Sequence, residues 1–406
     1  MMNIKSKIIS FYQRTSISKT SLVLFMGVSL LSLSGCSDVK LKVNGSHCSG
    51  INGGNIAVKA YIENSGSMNG YMCSGSELKD ALYSYLSSLN NYASSVRLNY
   101  INSTAIPLKT SVGNLVSQLN PQAFSAAGGN MANSDFKQIL NDVVRNVDDK
   151  TVVLFVSDCI LDIPQGAAKD YLDITRTDIN NIFTDKLKKM PSLGVCVYQL
   201  ESKFDGEYYY PKGGHQHYVG KRPYYVWLIG AQQNLAYLQR NVPSEKIRHG
   251  IKNYCSYSPS IVIPTMLYTG GKKYKEQALK IKNHGMFSCK VLMDLSQTLL
   301  SEEYLADVNN FSSKSGDICI EKVEKMPMAK EYSHLLSITV PGSAFSDVLS
   351  LKSVGIASWV EASNGTSDSS IEQGKTFSIK YIIGGVSDAY AKYTEAGTSI
   401  FTANKH

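Results

Sequence analysis

Two apolar rhythms alternate through the first half of the chain. Residues 58–62, 96–101, 151–156, 193–200 and 224–229 are short, nearly unbroken apolar runs rich in β-branched and aromatic side chains. Runs of this kind indicate strands covered on both faces, as in a parallel sheet. Between them apolar residues return every three or four positions. Leu78, Ala81, Leu82, Tyr85, Leu86 and Leu89 form one such series, and Phe136, Ile139, Leu140, Val143, Val144 and Val147 a second. Ile179, Ile182, Phe183 and Leu187 form a third. That spacing places one apolar stripe on a helix. Ser74-Gly75-Ser76-Glu77 is a capping box ahead of the first series, and a short helix is expected over 231–240. The alternation predicts an α/β domain over 55–245: a doubly wound, mostly parallel sheet of Rossmann type, flanked by helices.

Beyond about residue 250 the pattern changes. Phe377, Ile379, Tyr381 and Ile383 alternate with Ser378, Lys380 and Ile382, a near period of two. Residues 318–323, 334–340 and 355–361 are further strand-like runs, and Pro341-Gly342, Asn364-Gly365 and Gly384-Gly385 supply turn signals. A smaller, β-rich, sandwich-like domain is expected over 246–406, interrupted by a helix-like stretch at 295–308. Neither an internal repeat nor a low-complexity block is present.

The front of the chain follows neither pattern. Lys5, Lys7, Arg14 and Lys19 precede an apolar stretch at 21–33 with no acidic residue among them. The stretch is short for a transmembrane helix and has the length of a signal-peptide core, so residues 1–35 are assigned as a signal peptide. It ends in Leu33-Ser34-Gly35-Cys36, which resembles the bacterial lipobox. That resemblance implies cleavage before Cys36 and lipidation of its thiol. Ser37 rather than Asp follows, which by resemblance to bacterial sorting implies the outer membrane, facing either the periplasm or the exterior. Residues 36–54 are polar and glycine-rich, the composition of a tether.

Charge and cysteine content narrow the classes further. The whole chain has 41 basic and 33 acidic residues. Without the four signal-peptide bases the excess falls to +4, too mild to argue for nucleic acid in the absence of any basic-aromatic run. Seven cysteines follow Cys36, an odd number that leaves at least one free thiol in an oxidising compartment. Cys159, Cys196, Cys289 and Cys319 lie in apolar runs and are expected as small buried hydrophobes. Cys48 and Cys73 bracket the first apolar run and are the candidate disulfide. Among catalytic motifs, Gly-x-Ser-x-Gly, a P-loop, His-Glu-x-x-His and a dinucleotide fingerprint are all missing.

The run at 58–62 stops at Glu63-Asn64-Ser65-Gly66-Ser67. A carboxylate and two hydroxyls at alternate positions beyond a buried strand present hard oxygens, which suit Mg²⁺, Mn²⁺ or Ca²⁺. A second apolar run, 152–156, leads into Ser157-Asp158, with Asp162 four residues on. Between them Gly128-Gly129 precedes Asn133-Ser134-Asp135 at the start of a periodic segment. This ordered set resembles the three metal-site loops of von Willebrand factor A domains over roughly residues 55–242. Glu63 stands where that family usually has Asp, and Ser134 is the nearest match to its Thr. The resemblance implies a metal held by Glu63, Ser65, Ser67, Ser134 and Asp158. It also implies cation-dependent binding of a protein or other acidic ligand of the envelope or the exterior. Two other expectations compete: a scaffold that binds partners without metal, and a metal-assisted hydrolase for which no general base is identified. Gly213-Gly214-His215-Gln216-His217 has a ligand-like spacing, but it is expected as an exposed loop among tyrosines, with no carboxylate pattern beside it.

Overall fold

All five apolar runs of the first half become strands of one sheet. The protein is described by a computed structural model over residues 38–44, 55–131, 135–163, 168–270, 275–327 and 331–405. The sheet has seven strands, in the order Ala105–Pro107, Ser95–Ile101, Ala57–Glu63, Thr151–Ser157, His215–Ala231, Leu193–Tyr209 and Asn253–Tyr257. Ala57–Glu63 runs parallel to both of its neighbours. Every other pairing in the sheet is antiparallel. The expected doubly wound, mostly parallel sheet is therefore wrong; the architecture is mixed α/β with largely antiparallel sheets. The error has a physical source. Continuous apolar runs report burial on both faces, and burial carries no information about strand direction.

Both faces are covered. On one, Val58, Ala60 and Ile62 pack with Leu78, Leu82, Tyr85 and Leu86 of the helix Glu77–Asn90. On the other, Tyr61, Val153, Phe155 and Trp227 meet the helices Phe136–Arg145, Ala168–Lys189 and Ile379–Tyr390. The last of these replaces an expected strand. Ile379, Ile382, Ile383, Val386 and Tyr390 are all buried, a helical stripe within which the alternation of 377–383 was only a partial sample. Gly384-Gly385 is not a turn but the contact surface of that helix: a Cβ on Gly385 would lie 2.5 Å from the Arg176 carbonyl oxygen. Arg176 also grips Asp388 through two bonds of 2.6 and 2.8 Å. Residues 355–361 likewise give a short helix, Ser358–Ala362, rather than a strand.

Apart from a two-stranded parallel pair, Asn364–Gly365 with Thr376–Phe377, the remaining strands form two facing sheets. One has the order Ala278–Ile281, Val39–Asn44, Glu395–Lys405, Phe345–Lys352 and Phe311–Ser313, with Ile261–Val262 added beside Glu395–Lys405. The other has the order Lys275–Glu276, Thr265–Tyr268, Met286–Met293, His334–Pro341 and Cys319–Lys325. Leu41, Leu349 and Phe401 of the first share a core with Val291, Leu336 and Ile338 of the second. Part of the expected 36–54 tether is thus a strand, Val39–Asn44. Its Val39, Leu41 and Val43 are buried while Lys42 is exposed, a period of two that the glycine-rich surroundings masked. The expected helix at 295–308 is three short helical turns, Leu295–Thr298, Glu302–Ala306 and Val308–Asn310. Cys319 is exposed and Cys289 only half-buried, whereas Cys159 and Cys196 are buried.

Among the described residues, no helix is long and apolar enough to cross a membrane. The signal segment 1–35 and Cys36 lie outside the described residues, as do Cys48 and Ser134. The candidate pairing of Cys48 with Cys73 therefore also lies outside them; the Cys73 thiol is 3.8 Å from the Lys203 carbonyl oxygen.

Candidate functional site

Because Ala57–Glu63 and Thr151–Ser157 are parallel and paired in register, their final residues lie side by side at the carboxyl end of the sheet's central strands. Ile62 is opposite Val156, so Glu63 stands beside Ser157 and Asp158. Glu63 is 5% exposed, Ser65 3% and Asp158 1%. Two carboxylates are thus held together away from water. Burial, then the charge of Asp158, pushes the Glu63 carboxyl up to about 8, against smaller opposing hydrogen bonds from Ser157 and Ser65. Glu63 Oε2 accepts no hydrogen bond. A buried carboxylate oxygen without a protein partner is costly when ionised, which agrees with the raised Glu63 carboxyl.

The loops around this pair are tightly fixed. Ser65 Oγ and Ser67 Oγ are 3.0 Å apart. Asn102 ties the neighbouring loops together, donating to Asn64 Oδ1 at 2.8 Å and to the Gly128 carbonyl at 2.9 Å. Gly129 needs its glycine: at φ +73° a Cβ would also lie 2.1 Å from Asn102 Oδ1. Beyond Asp158 the backbone of Cys159 takes φ +55°, unfavourable for a residue with a side chain and common at functional loops. The Ser157 hydroxyl accepts from Cys159 N–H at 2.8 Å, and Asp158 Oδ1 from Ile160 N–H at 3.3 Å. These bonds hold Asp158 back toward the strand end. Asp162, exposed, lies within electrostatic reach of Asp158. Partial desolvation, then Asp158 and Asp135, raises its carboxyl. Asp135 itself caps the helix Phe136–Arg145.

A long hairpin closes the other side. Leu193–Tyr209 and His215–Ala231 pair along their full lengths, and their outer halves lie against the loop that follows Glu63. A Cβ on Gly206 would come within 2.7 Å of Gly70 Cα, and one on Gly70 within 2.4 Å of the Phe204 ring. From this hairpin Arg222 reaches inward. Its Nη2 is 3.4 Å from Asp158 Oδ2, and its Nη1 donates no hydrogen bond. The guanidinium lies 4.5 Å from the Tyr208 ring centre, 4.6 Å from Phe204 and 5.6 Å from Tyr71. Arg222 was not expected from the sequence. The available signal was its place two residues before the apolar run 224–229, where a strand flank is ordinarily solvated.

Glu63, Ser65, Ser67 and Asp158 therefore stand at the carboxyl end of the sheet's central strands, while Ser134 lies outside the described residues. The two carboxylates and the serine hydroxyls are hard oxygens, the ligand type that Mg²⁺, Mn²⁺ or Ca²⁺ would take, and the Glu63 oxygen without a protein partner is the observation that bears on such a fit. The set is hydroxyl-rich: among the described residues, no three or more His, Cys, Asp or Glu are grouped to hold a metal ion. The His215–His217 pair does have carboxylates nearby, contrary to expectation, because the facing strand brings them. His215 Nδ1 is 2.7 Å from Glu207 and His217 Nε2 3.3 Å from Asp205; both histidines and Asp205 are exposed and Glu207 is half-buried. Compared with family models, with curated proteins and with solved structures, the chain finds no match.

Proposed function

We propose that this is a cell-envelope lipoprotein whose Glu63–Asp158 pair binds a divalent cation and, with it, a protein or acidic ligand. The observation that carries this reading is the pairing of two buried carboxylates, one with an oxygen that has no partner. A cation between them would replace mutual repulsion by attraction. Glu63 and Asp158 would supply the charge, and Ser65 and Ser67 neutral oxygens. Such a donor set leaves the cation electron-poor enough to take a further carboxylate from a ligand. The local likeness of the 63–67 and 157–158 loops to a von Willebrand factor A metal site supports the same chemistry.

Saturating Mg²⁺, Mn²⁺ or Ca²⁺ should stabilise the protein by about 2.7 kcal/mol at one hundred times the dissociation constant. Differential scanning fluorimetry would record this as a rise in melting temperature that Asp158→Ala abolishes. A melting curve indifferent to all three cations removes the cation from the reading. A metal-independent scaffold is the second reading, and the Arg222 guanidinium beside Asp158 favours it, since a cationic side chain already faces that carboxylate. Partner capture that survives chelator would decide for it.

The lipid anchor rests on Cys36 within Leu33-Ser34-Gly35-Cys36. Cys36→Ser should move the protein from the membrane fraction to the soluble one after cell breakage, read by immunoblot. Unchanged partition would exclude anchoring through this thiol.

A further inference from the structure

Arg222 has an unusual set of contacts for a buried arginine. It is 5% exposed, yet it lacks the short, two-pronged carboxylate contact by which buried arginines are ordinarily compensated. Its one hydrogen bond to Asp158 is long, at 3.4 Å, and Nη1 makes none. What holds the guanidinium is aromatic: the rings of Tyr71, Phe204 and Tyr208 lie within 6 Å of it. Those rings are themselves fixed. Tyr71 and Phe204 pack edge to face at 5.0 Å, and the Tyr71 hydroxyl donates to the Pro223 carbonyl. Ser202, opposite Arg222 in the hairpin, is bonded to Ser76 at 3.0 Å. The charge is therefore held in place by the cage and only lightly engaged by the carboxylate.

We propose that Arg222 is a built-in counter-cation that competes with a divalent ion for Asp158, so that this one side chain sets the affinity of the site. The inference rests on the cation reading above and adds to it. With Arg222 engaged, its positive charge offsets the negative charge of Asp158; with Arg222 disengaged, that charge is left for a cation to meet. The cage allows that change without exposing the guanidinium, because the three rings remain as its neighbours when the long bond to Asp158 lengthens. A site of this kind binds its cation weakly and reversibly.

The test is titration of Mn²⁺ into the full-length protein by isothermal calorimetry, comparing wild type with Arg222→Met and Arg222→Lys. Arg222→Met should bind at least tenfold more tightly, and Arg222→Lys, which keeps the charge, should stay within threefold of wild type. Far-UV circular dichroism and the melting curve establish that each variant is folded. If Arg222→Met does not fold, Arg222→Lys together with Arg222→Gln carries the comparison: Gln tight and Lys weak supports the role, equal affinities overturn it. If wild type binds and Arg222→Met binds equally, the counter-cation role is overturned and the cation site stands. If wild type is silent and Arg222→Met binds, Arg222 occupies the cation's place outright; the cation reading of the native protein falls and the competition is upheld. If neither binds, both fall.

Discussion

In the presence of chelator, the melting temperature will fall as the pH is raised from about 5 to about 9, and Glu63→Gln will remove most of that fall. Glu63 is pushed from its ordinary 4.5 up to about 8 by burial first and by Asp158 second. Between those two values the folded protein keeps a proton on Glu63 that the unfolded chain has released. Stability changes with pH in proportion to protons bound unfolded minus protons bound folded, so here the slope is negative. Glu63 therefore costs nothing below about pH 4.5, costs progressively more up to about pH 8, and costs its full amount above that. Glu63→Gln, which cannot ionise, should be more stable than wild type by about 2–4 kcal/mol at pH 9 and nearly equal to it at pH 4.5. Adding Mn²⁺ to wild type should oppose the fall, because a bound cation favours the ionised carboxylate. A wild-type slope retained in Glu63→Gln would show that another group titrates there.

Asp294→Ala is expected to cost about 3–5 kcal/mol of stability, the range for breaking a buried charged network by removing one partner. Asp294 is 1% exposed and lies just past Met286–Met293 of the five-stranded sheet. Its Oδ1 accepts from Arg240 Nη2 at 2.6 Å and from Ser296 Oγ at 2.6 Å, and its Oδ2 accepts from Gln297 at 3.2 Å. Arg240 belongs to the helix Gln232–Asn241, which packs on the seven-stranded sheet through Leu235 and Leu238. One carboxylate thus joins the two layered parts of the molecule. Alanine would leave Arg240 without its partner and free the donors of the Leu295–Thr298 turn. Urea unfolding followed by tyrosine and tryptophan fluorescence would measure the loss, and separation into two transitions would show that the parts had uncoupled. A loss below about 1 kcal/mol would mean that the joint is held by packing rather than by Asp294.

The sequence carried the strands of the seven-stranded sheet well because burial there is nearly complete: 151–157 has no exposed position. It carried their directions poorly, since Tyr224–Trp227 reads equally apolar whether it runs with or against its neighbour. The same limit explains 377–390, where alternate sampling of a helical stripe imitated a strand. At the site, Glu63, Ser65 and Asp158 were legible as polar residues ending apolar runs. Asn102 and Arg222 were not. Their roles come from contacts across 38 positions, from Asn102 to Asn64, and across 64, from Arg222 to Asp158. No local pattern records such distances. Even the tether was misjudged by a short signal: Val39, Leu41 and Val43 give only three alternations before the glycine-rich stretch begins.

That short strand has a consequence for how the molecule is made. Val39–Asn44 forms ladders on both sides, with Ala278–Ile281 and with Glu395–Lys405, and Val39 pairs with Lys405. Its partners thus lie far along the chain and are synthesised long after it. Closing contacts of such separation is slow, because chain entropy is lost well before the pairing compensates for it. Until then Val39, Leu41, Val43 and the inner face of the sheet that receives them are open to other chains. An unpaired edge of this kind invites aggregation. The chain should therefore depend on being shielded until these distant strands have been made, and slow, concentration-sensitive refolding is the behaviour its topology dictates.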